Sequence, residues 1–268
     1  SVYVPAEAAQ NYTTSGLDYS YGPQKKENRL LTLYANYNKL VESIKSSFDV
    51  TAGYDYQYWK ATTPLYYEMN TLGEIQKTSK AKDERHVLLS YYGRLNYSFD
   101  SRYMLTTTIR RDATSRFAKN VRWGTFPSVA LGWRVTEESF LKDNKVLSNL
   151  KIRASYGVTG QQDGIGNYNY LPIYTQSQNG AEGIMGNEYI HTYRPSSYVP
   201  DLKWETTTSW NIGFDFGFLK DRITGGFDYY TRQTKDLIAT VPAAAGTTST
   251  VTSPPMWEMW TVRVLNSA

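Results

Sequence analysis

Between Pro200 and Ile238 hydrophobic and polar residues alternate with a period of two, in two segments broken by Leu219-Lys220-Asp221. Trp204, Thr206, Thr208, Trp210, Ile212, Phe214 and Phe216 fall on one face, and Glu205, Thr207, Ser209, Asn211, Gly213 and Asp215 on the other. After the break, Ile223, Gly225, Phe227 and Tyr229 oppose Thr224, Gly226, Asp228 and Tyr230. Such alternation predicts an antiparallel hairpin with one apolar and one polar face. The polar face carries carboxylates, which a packed core does not accept unpaired. A sheet that is apolar outside and wet inside is what a transmembrane β-barrel requires.

The same period recurs along the chain. Strands are predicted over about 29–40, 47–59, 87–98, 103–110, 126–135 and 151–158, with the opening hairpin bringing the number to about eight. Their lengths approach the roughly 9–11 residues with which a strand crosses a bilayer. Short links at 41–46, 99–101, 136–149 and 219–221 alternate with long ones at 60–85, 111–122, 159–203 and from 234 onward. This asymmetry matches short periplasmic turns and long extracellular loops. It places Leu219-Lys220-Asp221 at the periplasm and Pro200 and Asp236 outside. The segment Thr136 to Asn149, with an initial Thr followed by Glu137 and Glu138, is the best helix candidate. The predicted fold is all-β, an antiparallel transmembrane barrel segment over 28–240. It is preceded by a loop or linker (1–27) and followed by a loop and an atypical C-terminal end (241–268).

Composition sharpens this picture in two places. Of 268 residues, 24 are Tyr, 9 Phe and 7 Trp, an aromatic excess suited to membrane interfaces or sugar-binding surfaces. There is no Cys, so disulfides, thiolate metal sites and a Cys nucleophile are excluded. The net charge of +4 is small and dispersed, and supports no nucleic-acid partner. No apolar run approaches the ~18 residues of a transmembrane helix, which does not bear on a barrel. The opening SVYVPAEAAQ lacks the features of a signal peptide, so a mature chain or a fragment is expected.

No catalytic constellation emerges. The two histidines, His86 and His191, lie at a strand start and in a long loop. Glu137-Glu138 reads as solvated charge in a turn rather than a glycosidase pair, and Gly157-Val158-Thr159-Gly160 lacks the strand-to-helix context of a phosphate loop. No enzyme activity, metal or cofactor is expected.

Three blocks, in order, resemble a known family. They are Arg111-Asp112-Ala113-Thr114-Ser115-Arg116-Phe117 with Trp123-Gly124-Thr125-Phe126-Pro127-Ser128, the stretch LKIRASYGVTG from Leu150 continuing through Tyr168, and the opening hairpin. They are similar to motifs of the SusC/RagA-like TonB-dependent transporters of the Bacteroidetes outer membrane. The resemblance covers about residues 28–245. It implies a 22-stranded barrel with a plug in its lumen, closed outside by a SusD-like lipoprotein lid and driven by TonB through an N-terminal part that this sequence does not show. It also implies import of oligosaccharides or, in some members, peptides.

On that reading the apolar faces meet outer-membrane lipid, while Arg94, Arg110, Arg134, Arg153, Glu205 and Asp215 line the lumen. Tyr168, Tyr170, Tyr174, Tyr189, Tyr193 and Tyr198 of the longest loop are candidate sugar-stacking residues; packing within the loop or against the lid is the plainer role for them. The alternative is a soluble β-rich glycan-binding module without transport activity.

Overall fold

The structure is a computed structural model that describes residues 18–20, 24–69, 75–141, 144, 146–176, 183–195, 199, 201–238 and 260–267. Its strands are β1 (Asp18–Ser20), β2 (Lys25–Val41), β3 (Ser46–Thr63), β4 (Tyr66–Met69), β5 (Ile75–Ser79), β6 (Lys82–Phe99), β7 (Tyr103–Thr114) and β8 (Trp123–Arg134). There follow β9 (Leu147–Gln161), β10 (Tyr174–Gln176), β11 (Gly183–Met185), β12 (Glu188–Ile190), β13 (Tyr193–Pro195), β14 (Glu205–Phe218), β15 (Ile223–Lys235) and β16 (Trp260–Ser267). Nine of them share one sheet in the order β16-β15-β14-β9-β8-β7-β6-β3-β2. The chain divides into two compact units, residues 1–31 with 56–88 and residues 32–55 with 89–268.

In the first unit β1, β4 and β5 form a small antiparallel sheet. Trp59 and His86 stack there with ring centroids 4.2 Å apart, and Lys60 pairs with Asp83 at 3.4 Å.

The second unit carries the alternation. β14 pairs with both β9 and β15, placing Trp210 opposite Tyr156 and Thr231, and Ile212 opposite Ala154 and Tyr229. β8 continues the row, with Leu131 opposite Ala154 on one side and Leu105 on the other. Large residues on this face stay exposed: Ile109 57%, Leu131 55%, Trp210 56% and Ile212 60%. A continuous uncovered apolar face beside a charged one is the pattern of lipid outside and water inside.

Four expectations are corrected. First, the best helix candidate is a single 3-10 turn, Val135–Glu137; Glu138 is drawn instead to the side chains of Tyr103, Trp133 and Arg102. Second, the strands are longer than predicted, 12 to 18 residues for β2, β3 and β6–β9, so the charged loop expected from 111 begins only after Thr114. Third, the long connections are not structureless: β4 and β5 lie in one, and β10–β13 form two small ribbons in the other. Fourth, Trp204 precedes β14 and is only 7% exposed, so it is not on the outward face. The eight strands expected of the main sheet are all present, as β2, β3, β6–β9, β14 and β15; β16 adds to them, and its backbone hydrogen-bonds what would otherwise be an open edge of β15.

Trp204 belongs to a compact, buried apolar cluster of the second unit. Its ring meets Phe117 at 5.5 Å and Phe126 at 5.3 Å, both edge to face, while its Nε1 donates to the Arg122 carbonyl at 2.9 Å. Phe117 is fully buried, and Ile165 and Leu202 are also buried. Glycine makes room here: a Cβ on Gly124 or Gly160 would overlap the Phe126 ring. The motif ending in Arg116-Phe117 is thus a loop anchor. Arg116 donates to the Gln162 carbonyl and to Asn167, each at 3.3 Å, tying the loop after β7 to the loop after β9.

Candidate functional site

The polar face holds two fixed-charge networks. In one, the Arg153 guanidinium bonds Asp215 in bidentate fashion, both contacts at 2.9 Å, and reaches Asp228 at 3.2 Å. Register explains the reach. Arg153 on β9 lies opposite Gly132 on β8 and Gly213 on β14, and Gly213 in turn lies opposite Asp228 on β15. A Cβ on Gly213 would run into the Asp228 carboxylate and sit 2.9 Å from the Phe227 carbonyl. Glycine therefore opens the lane along which one side chain crosses a whole strand. The other oxygen of Asp228, Oδ1, is buried without a hydrogen-bond partner.

In the second network Arg110 bonds Asp112 at 2.9 Å and the Ser90 hydroxyl at 2.9 Å, lies 3.6 Å from Asp55, and sits over the Tyr92 ring at 5.8 Å. Asp112 and Ser90 are buried. Sequence reasoning named both arginines and Asp215 but missed Asp55, Asp112 and Ser90 as partners. Their signal was available: each lies on the polar parity of its own strand.

The remaining expected lumen residues are less tied. Arg94 is exposed, and its nearest hydrogen bond, to Asn96, is 3.4 Å long. Arg134 is exposed and lies opposite Lys151 in the ladder. Glu205 Oε2 accepts the Ile238 backbone N–H at 3.0 Å, so it holds the end of the hairpin rather than facing an ion partner.

Five of the six loop tyrosines lie among the described residues, spread over two small ribbons and the loop after β9. Tyr174 and Tyr193 lie in the β10–β13 ribbon, 64% and 63% exposed, and Tyr189 lies on the β11–β12 hairpin, 73% exposed. Tyr168 and Tyr170 are half-buried, with Tyr168 at φ +71° accepting the Leu171 N–H at 2.9 Å. Tyr198 lies outside the described residues. Among the described residues no group of three or more His, Cys, Asp or Glu side chains is placed to hold a metal.

The tight-link end carries its own charge cluster. Glu138 accepts from the Tyr103 hydroxyl at 2.6 Å, from Trp133 Nε1 at 3.1 Å and from Arg102 at 3.3 Å. The Tyr103 hydrogen bond, then the Trp133 indole and the Arg102 charge, hold its carboxyl below the usual carboxylate range. Asp100 bonds Arg102 and pairs with Lys45 at 3.4 Å. Burial pushes its carboxyl up, but the Arg102 and Lys45 interactions outweigh that and hold it low.

A sheet with lipid-type residues on one face, ion-pair networks on the other, tight turns at one end and long loops at the other defines a segment of a bacterial outer-membrane β-barrel. The family model "TonB dependent receptor-like, beta-barrel" matches residues 2–263, and the chain belongs to that family. TonB-dependent receptor SusC of Bacteroides thetaiotaomicron is 44% identical over 227 residues, covering 79% of this chain and 22% of that protein. TonB-dependent receptor P39 of Formosa agariphila is 32% identical over 227 residues, covering 78% of this chain and 20% of its own length. The chain thus spans about a fifth of these relatives. Among solved structures, the RagAB peptide transporter superposes with a TM-score of 0.69 at 22% identity, over 85% of this chain and 25% of that one. The siderophore receptor PirA from Acinetobacter baumannii gives 0.54 at 14% identity, over 90% and 31%. These two likenesses concern the fold. The chain's place is the bacterial outer membrane.

Proposed function

We propose that the protein carrying this chain is an energy-coupled importer of oligosaccharides, working with TonB and a SusD-like surface lipoprotein lid. The observation that carries the reading is the 44% identity to TonB-dependent receptor SusC over 79% of the chain. The geometry is consistent with it. Arg110 and Arg153 each tie two carboxylates within the polar face, which makes a fixed, charged wall rather than a reactive centre. The exposed Tyr174, Tyr189 and Tyr193 provide rings on which sugars stack. The chain does no chemistry on its cargo: it is a transporter segment, not an enzyme.

The test is uptake of labelled oligosaccharides by cells lacking the intact gene, with complementation by the wild type, by a triple Tyr174→Ala, Tyr189→Ala, Tyr193→Ala variant, and by wild type in a strain without TonB. The expected result is restored uptake of one glycan class with the wild type only, and none without TonB. Uptake of peptides, the cargo named for the RagAB peptide transporter, in place of glycans would overturn the cargo. Unchanged uptake without TonB would overturn the energy coupling.

A further inference from the structure

The outward face of the second unit carries a guanidinium that none of the chain's described residues neutralises. On β7, Leu105, Thr107, Ile109 and Arg111 lie opposite Leu131, Val129, Pro127 and Thr125 of β8, so Arg111 is the next outward position after an apolar run. Gly93 of β6 confirms the face, since a Cβ there would touch Ile109 Cγ2 at 3.8 Å. Arg111 is exposed, and among the described residues it forms no ion pair. Its neighbour Arg110, on the opposite face, has two carboxylates and a serine.

Aromatic rings hold Arg111 in place. Its guanidinium carbon lies 5.0 Å from the centroid of the Trp123 ring; Trp123 stacks on Tyr91 at 6.2 Å, and Tyr91 tilts against Tyr54 at 5.3 Å. Trp123 and Tyr91 are 41% and 50% exposed. A second outward row, Phe99, Tyr103 and Trp133, lies toward the tight-link end, with centroids 6.2 and 6.4 Å apart. Trp123 and Trp133 are ten residues apart on β8. At about 3.3 Å per residue and a tilt near 40°, that separation is roughly 25 Å along the membrane normal, the height of an outward apolar band between its aromatic girdles. Arg111 therefore sits at the boundary on the loop side. A charge facing lipid is costly at the midplane and nearly free at that boundary, where an anionic headgroup meets it.

We infer that Arg111, with Trp123, Tyr91 and Tyr54, binds a phosphate group of the phosphorylated glycolipid of the outer leaflet, lipid A. The guanidinium offers two parallel N–H donors to phosphate oxygens. The rings pack against the headgroup sugar and the start of an acyl chain. Only the orientation of the reading above, loops outward, is used here; the nature of the cargo is not.

The test is thermal shift of the intact protein, purified and delipidated in detergent, titrated with lipid A, phosphatidylglycerol or inorganic phosphate. Wild type, Arg111→Gln and Arg111→Lys are compared. Lipid A should raise the Tm of the wild type, with half-saturation about fivefold weaker in Arg111→Gln and close to wild type in Arg111→Lys. Phosphate and phosphatidylglycerol should shift all three proteins less than lipid A does, and equally. Equal lipid A titrations in wild type and Arg111→Gln would overturn the site. An Arg111-dependent shift by phosphate alone would make it an ion site, and an equal or larger shift by phosphatidylglycerol would place Arg111 at the inner leaflet; either also overturns the proposal. None of these results alters the uptake test, so the two readings fail separately.

Discussion

The two ends of the apolar face finish in aromatic rings but treat charge in opposite ways. At the tight-link end the polar tips of Tyr103 and Trp133 both donate to Glu138, which Arg102 neutralises, and Arg102 is shared with Asp100. At the loop end Trp123 lies under Arg111, and among the described residues no carboxylate answers that cation. One end is electrically closed and bound to its own backbone: Asp100 N–H donates to the Lys45 carbonyl at 2.7 Å, and Arg134 N–H to the Arg102 carbonyl at 2.8 Å. The other end is stabilised on the inner side by an apolar cluster and leaves its outward charge for something else. The lesson is that burial and ion pairing divide the work by position. Links too short to build a core are held by salt bridges and hydrogen bonds, while long loops fold back and bury Phe117 and Trp204.

The largest expected effect breaks the loop end alone. Phe117 is fully buried between two loops and against Trp204. Phe117→Ala removes a buried aromatic, a change of about 3–5 kcal/mol in a core of this type. Read as local opening, it should raise amide exchange over 115–122 and 162–168 by a hundredfold or more, on the order set by that energy. Exchange at Asp100 and Arg134 should stay unchanged. If both ends open together, the two are one cooperative unit and the contrast fails.

How much of this was legible beforehand follows from the same division. Period-two alternation is local, so Tyr103 to Ile109 and Trp210 to Phe216 declared their faces without any knowledge of a neighbour. Trp204 misled because it stands in phase with Trp210 while lying outside β14, where alternation no longer dictates direction. The Arg153 triad needs the register of three strands before Asp215 and Asp228 meet one guanidinium, and no single stretch carries that register. The ribbons β10–β13 were hidden for another reason: three-residue strands are too short to show a period. Glu138 looked like a first-turn helix residue because Thr136 and Glu137 precede it. Its real partners, Arg102 and Tyr103, are more than thirty residues away in the chain.

A middle-sized effect tests whether the polar face belongs to either end. Arg153→Met leaves Asp215 and Asp228 without their shared cation, and both are partly open to water, with side-chain exposures of 38% and 30%. With that screening the cost is about 1 kcal/mol rather than that of a buried charge. It should appear as a Tm decrease of the intact protein that grows at low ionic strength. Arg153→Met with Asp228→Asn should recover part of the loss, because the two strands then carry one charge instead of two. A loss unaffected by salt or by the second substitution would show that Arg153 acts through packing alone.

The smallest effect sharpens the tight-link end. Glu138 and Asp100 both have their carboxyls held below the ordinary range. A group whose folded pKa is depressed adds stability above its unfolded pKa, about 4.3 for Glu and 3.9 for Asp, and loses it as pH falls through the lower folded value. Glu138→Gln keeps an acceptor for Tyr103 or Trp133 but removes the charge that meets Arg102. At pH 7 the variant should melt slightly below wild type, by less than the Arg153 variant does. As the pH is lowered past 4 the two melting curves should converge, since protonated Glu138 has lost the same charge. The Arg111→Gln variant should show no such convergence, because no carboxylate faces Arg111 among the described residues. A Glu138→Gln difference that persists unchanged through that pH range would mean that its hydrogen-bond geometry, not its charge, closes this end.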